Sequence, residues 1–186
     1  MTIQSMALIG TGVMGMGIAQ IAAQAGVEVR LFDAKAGAAE AGLAKLKVTL
    51  EKLQAKGKFT EQVLNETLAR FVVLDSIEQI AGVDLVVEAI IENLEIKQSL
   101  FKQIEAIVAP STILATNTSS LSVTAIASNL EHQGRMAGFH FFNPVPLMKI
   151  VEVIAGLATE EQVVADLLEL AQRMGHFGVR TKDTPG

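Results

Sequence analysis

Gly10, Gly12 and Gly15 stand in the spacing Gly-x-Gly-x-x-Gly directly after the apolar run Met6-Ala7-Leu8-Ile9, an arrangement able to grip a dinucleotide. Gly10 permits a tight turn from strand to helix, Gly12 lets backbone approach a diphosphate with no side chain between, and Gly15 lets the helix pack closely on its strand. Free N–H groups and aligned peptide dipoles of a helix beginning near Met14 would then favour negative charge without any lysine. Asp33 lies eighteen residues beyond Gly15 and closes the apolar run from Val27 to Phe32. Its carboxylate would accept from ribose hydroxyls and repel a 2′-phosphate, so NAD is expected over NADP, with Lys35 weighing slightly the other way. The alternative is a glycine-rich turn that binds nothing.

Ligands of open parallel sheets lie beyond the carboxyl ends of the strands, and here those ends are polar. Leu85-Val86-Val87 runs into Glu88 and Glu92, Ile113-Leu114-Ala115 into Asn117 and Ser119-Ser120, and Ala137-Gly138-Phe139 into His140 and Asn143. Ser119 to Ser122 equally suit turns and a cap for a short helix starting near Val123, and both readings can hold together. His140 alone of the three histidines sits at such a strand end. Within Ile150-Val151-Glu152-Val153-Ile154, strand alternation puts Glu152 on the face of Ile150 and Ile154. A carboxylate buried there needs a partner, and an imidazole is the natural one. A His140–Glu152 dyad is therefore expected, the other possibility being that Glu152 faces solvent on an edge strand. Beside a nicotinamide, such an imidazole would take the proton of an alcohol as hydride leaves the same carbon, and Glu152 would hold the ring and stabilise its imidazolium.

The elements that must position these groups are legible in the apolar pattern. Ala7–Ile9, Val29–Phe32, Phe71–Leu74, Leu85–Val87, Ile113–Ala115 and Met136–Phe139 read as strands, mostly apolar on both faces. That pattern predicts an α/β fold of Rossmann type, a doubly wound and mostly parallel sheet covered by helices on both sides. Helices are expected over Met14–Ala25, with Gly26 as the stop, and over Gly42–Gly57, Glu92–Ala109 and Glu160–Met174. The second carries a narrow seam of Leu43, Leu46, Leu50 and Leu53, which suits either a protruding helical hairpin or an ordinary surface helix.

With 186 residues, half of them apolar, the chain can bury one substantial core, and a single domain over 1–186 is expected. No apolar stretch reaches the ~20 residues needed to span a bilayer, and no basic-then-apolar leader opens the chain, so a cytoplasmic protein without membrane contact is expected. The absence of cysteine excludes disulfides, thiolate nucleophiles and zinc–thiolate sites, and no metal centre is assigned. A net charge of −5 and the lack of Trp and Tyr argue against nucleic acid as a partner.

Gly10-Thr11-Gly12-Val13-Met14-Gly15, Val86-Val87-Glu88-Ala89-Ile90-Ile91-Glu92-Asn93, Asn117-Thr118-Ser119-Ser120 and His140-Phe141-Phe142-Asn143-Pro144 together resemble the L-3-hydroxyacyl-CoA dehydrogenase family, in its 3-hydroxybutyryl-CoA dehydrogenase branch. The resemblance covers the chain and implies that family's NAD-binding domain. It implies His140 as catalytic base, Glu152 as its partner, Ser119 as a hydrogen-bonding group for the substrate oxygen, and Asn143 near the reacting centre. Cofactor contacts are implied at Gly10, Gly12, Met14, Gly15, Asp33, Ala89, Glu92, Lys97, Asn117, Ser119 and Asn143. An acyl-CoA substrate is implied at Ser119, Thr49 and Lys56, with Lys58 as added charge, although solvated side chains are an equal reading for the last three. Lys182 to Gly186 resemble the family's hinge into a helical C-terminal domain. That domain, with the catalytic asparagine and the homodimer contacts, is expected to be absent here, leaving the chain alone poorly active. An NAD-binding structural module without turnover, crystallin-like, is the competing reading.

Overall fold

Alternating strand and helix patterns fold as successive right-handed crossovers, each amphipathic helix covering one face of a growing sheet. The computed structural model describes residues 1–184. In chain order the elements are β1 (Ser5–Ile9), α1 (Val13–Gln24), β2 (Glu28–Phe32), α2 (Ala38–Ala55), α3 (Glu61–Ala69), β3 (Phe71–Val73), β4 (Leu85–Glu88), α4 (Leu94–Glu105), β5 (Ile113–Thr116), α5 (Val123–Ala127), β6 (Met136–Phe141), β7 (Ile150–Ala155), α6 (Glu161–Arg173) and β8 (Phe177–Lys182). They build one sheet in the order β3-β2-β1-β4-β5-β6-β7-β8. The first six strands are parallel, β7 pairs antiparallel with β6, and β8 pairs parallel with β7.

Strand periodicity divides the interior into two apolar layers. Met6, Leu8, Val29, Leu31, Val87 and Phe139 face α1, α2, α3 and α6, whereas Ala7, Ile9, Val86, Leu114 and Met136 face α4 and α5. This is the expected doubly wound Rossmann arrangement. Chain direction across the sheet reverses between β1 and β4, and in such folds the crevice at that reversal receives the ligand. Gly10 and Ala89, which follow those two strands, flank it: Ala89 N donates to Ile9 O at 2.8 Å.

Several element bounds shift from expectation. The seam helix runs over Ala38–Ala55, not Gly42–Gly57, since Ala38, Ala39 and Ala41 favour helix and Gly37, at φ +79°, starts it. Leu46 and Leu50 are buried and Leu43 and Leu53 partly so, because α2 packs on α1 and pairs with α3 as a helical hairpin. Asn93 caps α4 through its side chain, which accepts from Ile96 N, so the helix begins at Leu94 and Glu92 stands before it. The alternative of Glu152 on an edge strand is overturned, because β8 covers β7. Strand β8 itself was not expected. It is half-exposed, bears Arg180 and Lys182, and contains Gly178, where a Cβ would come within 2.8 Å of the Leu168 side chain on α6. Pro185 and Gly186, at the end of the hinge-like tail, lie outside the described residues. Among the described residues no helix is long and apolar enough to cross a membrane, and no cluster of three metal-binding side chains occurs.

Candidate active site

The glycine turn shows a separate reason for each glycine. Gly10 has φ +99°, and a Cβ on it would lie 2.5 Å from Ala89 O. A Cβ on Gly15 would be driven into the Gly10 carbonyl oxygen, so α1 can close on β1 only with glycine there. At Gly12 a Cβ would meet nothing within 4 Å, so the protein itself has no packing need for glycine at that position. This contrast yields a prediction. Gly15→Ala should cost about 1–3 kcal/mol of stability and abolish measurable NADH binding, since the clash is with backbone. Gly12→Ala should leave the melting temperature unchanged and weaken NADH binding about tenfold or more, because only a diphosphate needs that space. Thermal melts and NADH fluorescence titrations of the two variants check it.

Asp33 is anchored beside this turn. Its Oδ2 accepts from Thr11 N and Thr11 Oγ1, both at 2.8 Å, and Oδ1 accepts from Lys35 N at 2.9 Å. Burial pushes the carboxyl up, but the Thr11 and Lys35 hydrogen bonds together outweigh it and hold Asp33 below the usual aspartate range. It lines a cavity of about 830 Å³ with Gly10, Gly12, Ala89 and the apolar side chains of Ile77, Ile91 and Ile96. That cavity, with free N–H groups of the first turn of α1 at its edge, suits an adenosine and its diphosphate.

A second cavity, of about 340 Å³, is continuous in lining with the first through Ala89 and Ile90. Met14, Glu92, Lys97, Asn117, Ser119, His140 and Asn143 line it with Ala89, so eight of the residues singled out from sequence converge there. Asn117 ties two strand ends together, its Oδ1 accepting from Phe141 N at 2.9 Å. His140 and Glu152 are directly opposed on β6 and β7. His140 Nδ1 lies 3.9 Å from Glu152 Oε1, and the Glu152 side chain is one-third exposed. The carboxylate is thus less buried than the strand pattern implied, since Ile150, Glu152 and Ile154 share the less covered face of β7 and Val151 and Val153 take the buried one. Nε2 of His140 is the ring nitrogen without a carboxylate partner, so it is the one available to a ligand.

Beneath the cavity lies a charged cluster that the sequence reading left incomplete. Glu88, at the end of β4, and Lys97, on α4, are fully buried and form an ion pair in direct contact. Thr116 Oγ1 donates to Glu88 Oε1 at 2.6 Å and Ile90 N to Oε2 at 2.7 Å. Lys97 Nζ also meets Glu92 Oε1 at 3.1 Å. Glu92 Oε2 accepts from Thr118 Oγ1 at 2.8 Å and Ser120 Oγ at 3.1 Å. Burial raises the Glu92 carboxyl, but hydrogen bonds from Thr118 and Lys97 more than offset this and keep it below the ordinary value. The signal for Glu88 was a charged residue ending an unbroken apolar strand, with a lysine nine positions on.

Asp183, just past β8, steadies the Ser119 segment from the far end of the chain. Its carboxylate accepts from Ser122 Oγ, Val123 N and Thr124 N at 2.8–2.9 Å, while Ser122 Oγ accepts from Ala125 N. The start of α5 thereby has its orphan donors satisfied. Burial pushes the Asp183 carboxyl up, but hydrogen bonds from Thr124, Val123 and Ser122 prevail and lower it from 3.8. A depressed folded-state value means that its contribution is complete above the unfolded value and drains away as pH falls through the folded one. Asp183→Ala should therefore cost about 1 kcal/mol at neutral pH, and the difference from wild type should shrink on acidification below 3.8, read by urea unfolding at each pH.

The proposed acyl-CoA contacts are less concentrated. Thr49 lines a cleft of about 650 Å³ between α1 and α2, with Lys35, Lys45, Gln20 and the Asn143–Pro146 segment. Asn143 borders both this cleft and the His140 cavity. Lys56 caps the far end of α2, exposed and outside that lining, as is Lys58.

Comparison with known proteins adds to this geometry. The family described as "3-hydroxyacyl-CoA dehydrogenase, NAD binding domain" matches residues 5–184. A probable 3-hydroxybutyryl-CoA dehydrogenase of Bacillus subtilis is 46% identical over the whole chain, which spans 65% of that relative. A 3-hydroxyadipyl-CoA dehydrogenase of Escherichia coli is 44% identical over 99% of the chain and 39% of the relative. The crystal structure of an E. coli 3-hydroxybutyryl-CoA dehydrogenase superposes on all of the chain with a TM-score of 0.98, the chain covering 39% of it. The chain thus spans less than two thirds of the length of these relatives.

Proposed function

The chain belongs to the 3-hydroxyacyl-CoA dehydrogenase family, through its NAD-binding domain, and from that premise we propose that it serves the reversible oxidation of a (S)-3-hydroxyacyl-CoA to the 3-ketoacyl-CoA. The observation that carries the reading is the convergence of His140, Ser119, Asn143 and Asn117 on one cavity that adjoins the glycine turn. The residues fit NAD: Gly10, Gly12 and Gly15 with the first turn of α1 would hold the diphosphate, Asp33 the adenosine ribose, and Met14, Ala89, Glu92, Lys97 and Asn117 the nicotinamide side. When bound, NAD supplies the acceptor for the hydride from C3 of the substrate.

The chain's own part is proton management and positioning. His140 Nε2 takes the proton of the 3-hydroxyl as the C3–H bond breaks and the carbonyl forms. Glu152, facing Nδ1, fixes the ring and stabilises the positive charge it gains. Closure from 3.9 Å to hydrogen-bond distance is a small side-chain movement, and catalytic contacts commonly tighten only with substrate present. Ser119 and Asn143 donate to the substrate oxygen, and the α1–α2 cleft with Thr49 receives the CoA portion, with Lys56 as a charge beyond its lining. The additional length of the relatives supports a further domain. That this domain is helical, completes the substrate site and pairs two copies, with residues 1–186 acting as one NAD-binding domain, belongs to the same proposal. Action in the cytoplasm belongs to the same reading, supported by the bacterial relatives.

The test is acetoacetyl-CoA reduction by NADH, measured in this chain and in a chimera carrying the additional segment of the B. subtilis relative. NADH binding by both with turnover in the chimera supports the proposal. NADH binding without turnover in either would favour a purely structural module.

A further inference from the structure

Resting on the reading that the 340 Å³ cavity receives the nicotinamide ring, we propose that Glu92 sets the preference between the two redox forms of the cofactor, as a fixed negative charge favouring the cationic oxidised ring over the neutral reduced one. Charge in the cluster under the cavity does not balance. Glu88, Lys97 and Glu92 are two carboxylates sharing one ammonium, so the group carries one net negative charge. Glu88 is fully buried and its oxygens are taken by Lys97, Thr116 and Ile90, which leaves it compensated and remote from any ligand. Glu92 and Lys97 both border the cavity, but Glu92 has 40% of its side chain exposed and Lys97 1%, so the surplus negative charge is the one that faces the ligand.

That charge is also held in place. Thr118 Oγ1 and Ser120 Oγ both donate to Oε2, and Lys97 engages Oε1, so the carboxylate cannot swing away into solvent. A preorganised charge in a partly enclosed site acts with little loss to reorganisation. During the reaction one unit of positive charge leaves the nicotinamide ring and appears on the imidazole of His140. Glu92 and Glu152 therefore pull in opposite senses: Glu152 favours the imidazolium, and Glu92 favours the oxidised ring. The balance of the bound reaction is tilted by Glu92 toward ketone reduction.

The adenosine and diphosphate are identical in NAD+ and NADH, so the ratio of their dissociation constants isolates the charge of the ring. Calorimetric or fluorescence titration of both forms against wild type, Glu92→Gln and Glu92→Asp reads this ratio without turnover. Glutamine at 92 should weaken NAD+ binding about tenfold and change NADH binding by less than about threefold. A tenfold change in that ratio raises the potential of the bound two-electron couple by about 30 mV. Aspartate should restore the ratio to within about twofold of wild type even where both affinities drop, since it restores the charge. Equal weakening of both forms by Glu92→Gln, the result of a structural role, would overturn the proposal. So would a ratio in Glu92→Asp that follows the glutamine variant. Failure of wild type to bind either form would instead overturn the nicotinamide reading, and this proposal with it.

Discussion

Replacing His140 with alanine is expected to lower acetoacetyl-CoA turnover about 10²–10⁴-fold in the chimera while leaving NADH affinity within about twofold. The size follows from the loss of a positioned base. Binding should survive because the glycine turn, Asp33 and the 830 Å³ cavity are untouched by the change. His140 is only partly buried, and its ring contacts Phe142 at a centroid distance of 4.5 Å, so its loss opens no large void in the core. A Glu152→Gln variant should lose less than His140→Ala, since the imidazole persists and only its support is removed. Steady-state rates with NADH titrations on the same preparations check both halves. Equal loss of binding and turnover would point to collapse of the site and not to removal of a base.

Lys97→Met is expected to destabilise the fold by about 3–5 kcal/mol, the cost of leaving a buried carboxylate without its counter-charge. Glu88 would keep Thr116 Oγ1 and Ile90 N as donors, but neither carries charge. For a chain of this length the melting temperature should fall by roughly 6–20 °C. Combining Glu88→Gln with Lys97→Met should recover most of the loss, because no unpaired charge remains and the amide oxygen can accept from Ile90 N while its NH2 donates to Thr116 Oγ1. Urea unfolding of the two single variants and the double variant forms a cycle whose coupling should be about 3 kcal/mol or more. Near-zero coupling would mean that the pair contributes nothing as a pair.

Much of this architecture was legible because burial on both faces leaves unbroken apolar strands, as in Leu85-Val86-Val87 and Ile113-Leu114-Ala115. Glycine spacing after the first strand located the turn, and polar residues ending three strands located the cavity. Elements with little buried surface were not legible. Helix α3 buries only Leu64 and Thr67, and β8 is an outer strand with one neighbour, so neither leaves a strong period in the chain. The Glu88–Lys97 pair was half visible: the polar strand end could be seen, but that α4 turns Lys97 inward depends on its packing over the sheet. Asp183 was read only as part of a tail, since its partners lie about sixty residues away. Alternation set Glu152 on the face of Ile150 and Ile154, yet its place opposite His140 depends on β7 pairing antiparallel with β6, which alternation alone does not reveal.

The central claim is spatial, that the nicotinamide ring lies in the cavity bounded by His140, Asn117 and Ser119. Isotope-filtered nuclear Overhauser spectra of the chain saturated with NAD+ test it most directly. Cross-peaks are expected from the nicotinamide C4 proton to the His140 ring and to Asn117. Cross-peaks instead to residues of the α1–α2 cleft, such as Ala41 or Leu46, with none to His140, would contradict it.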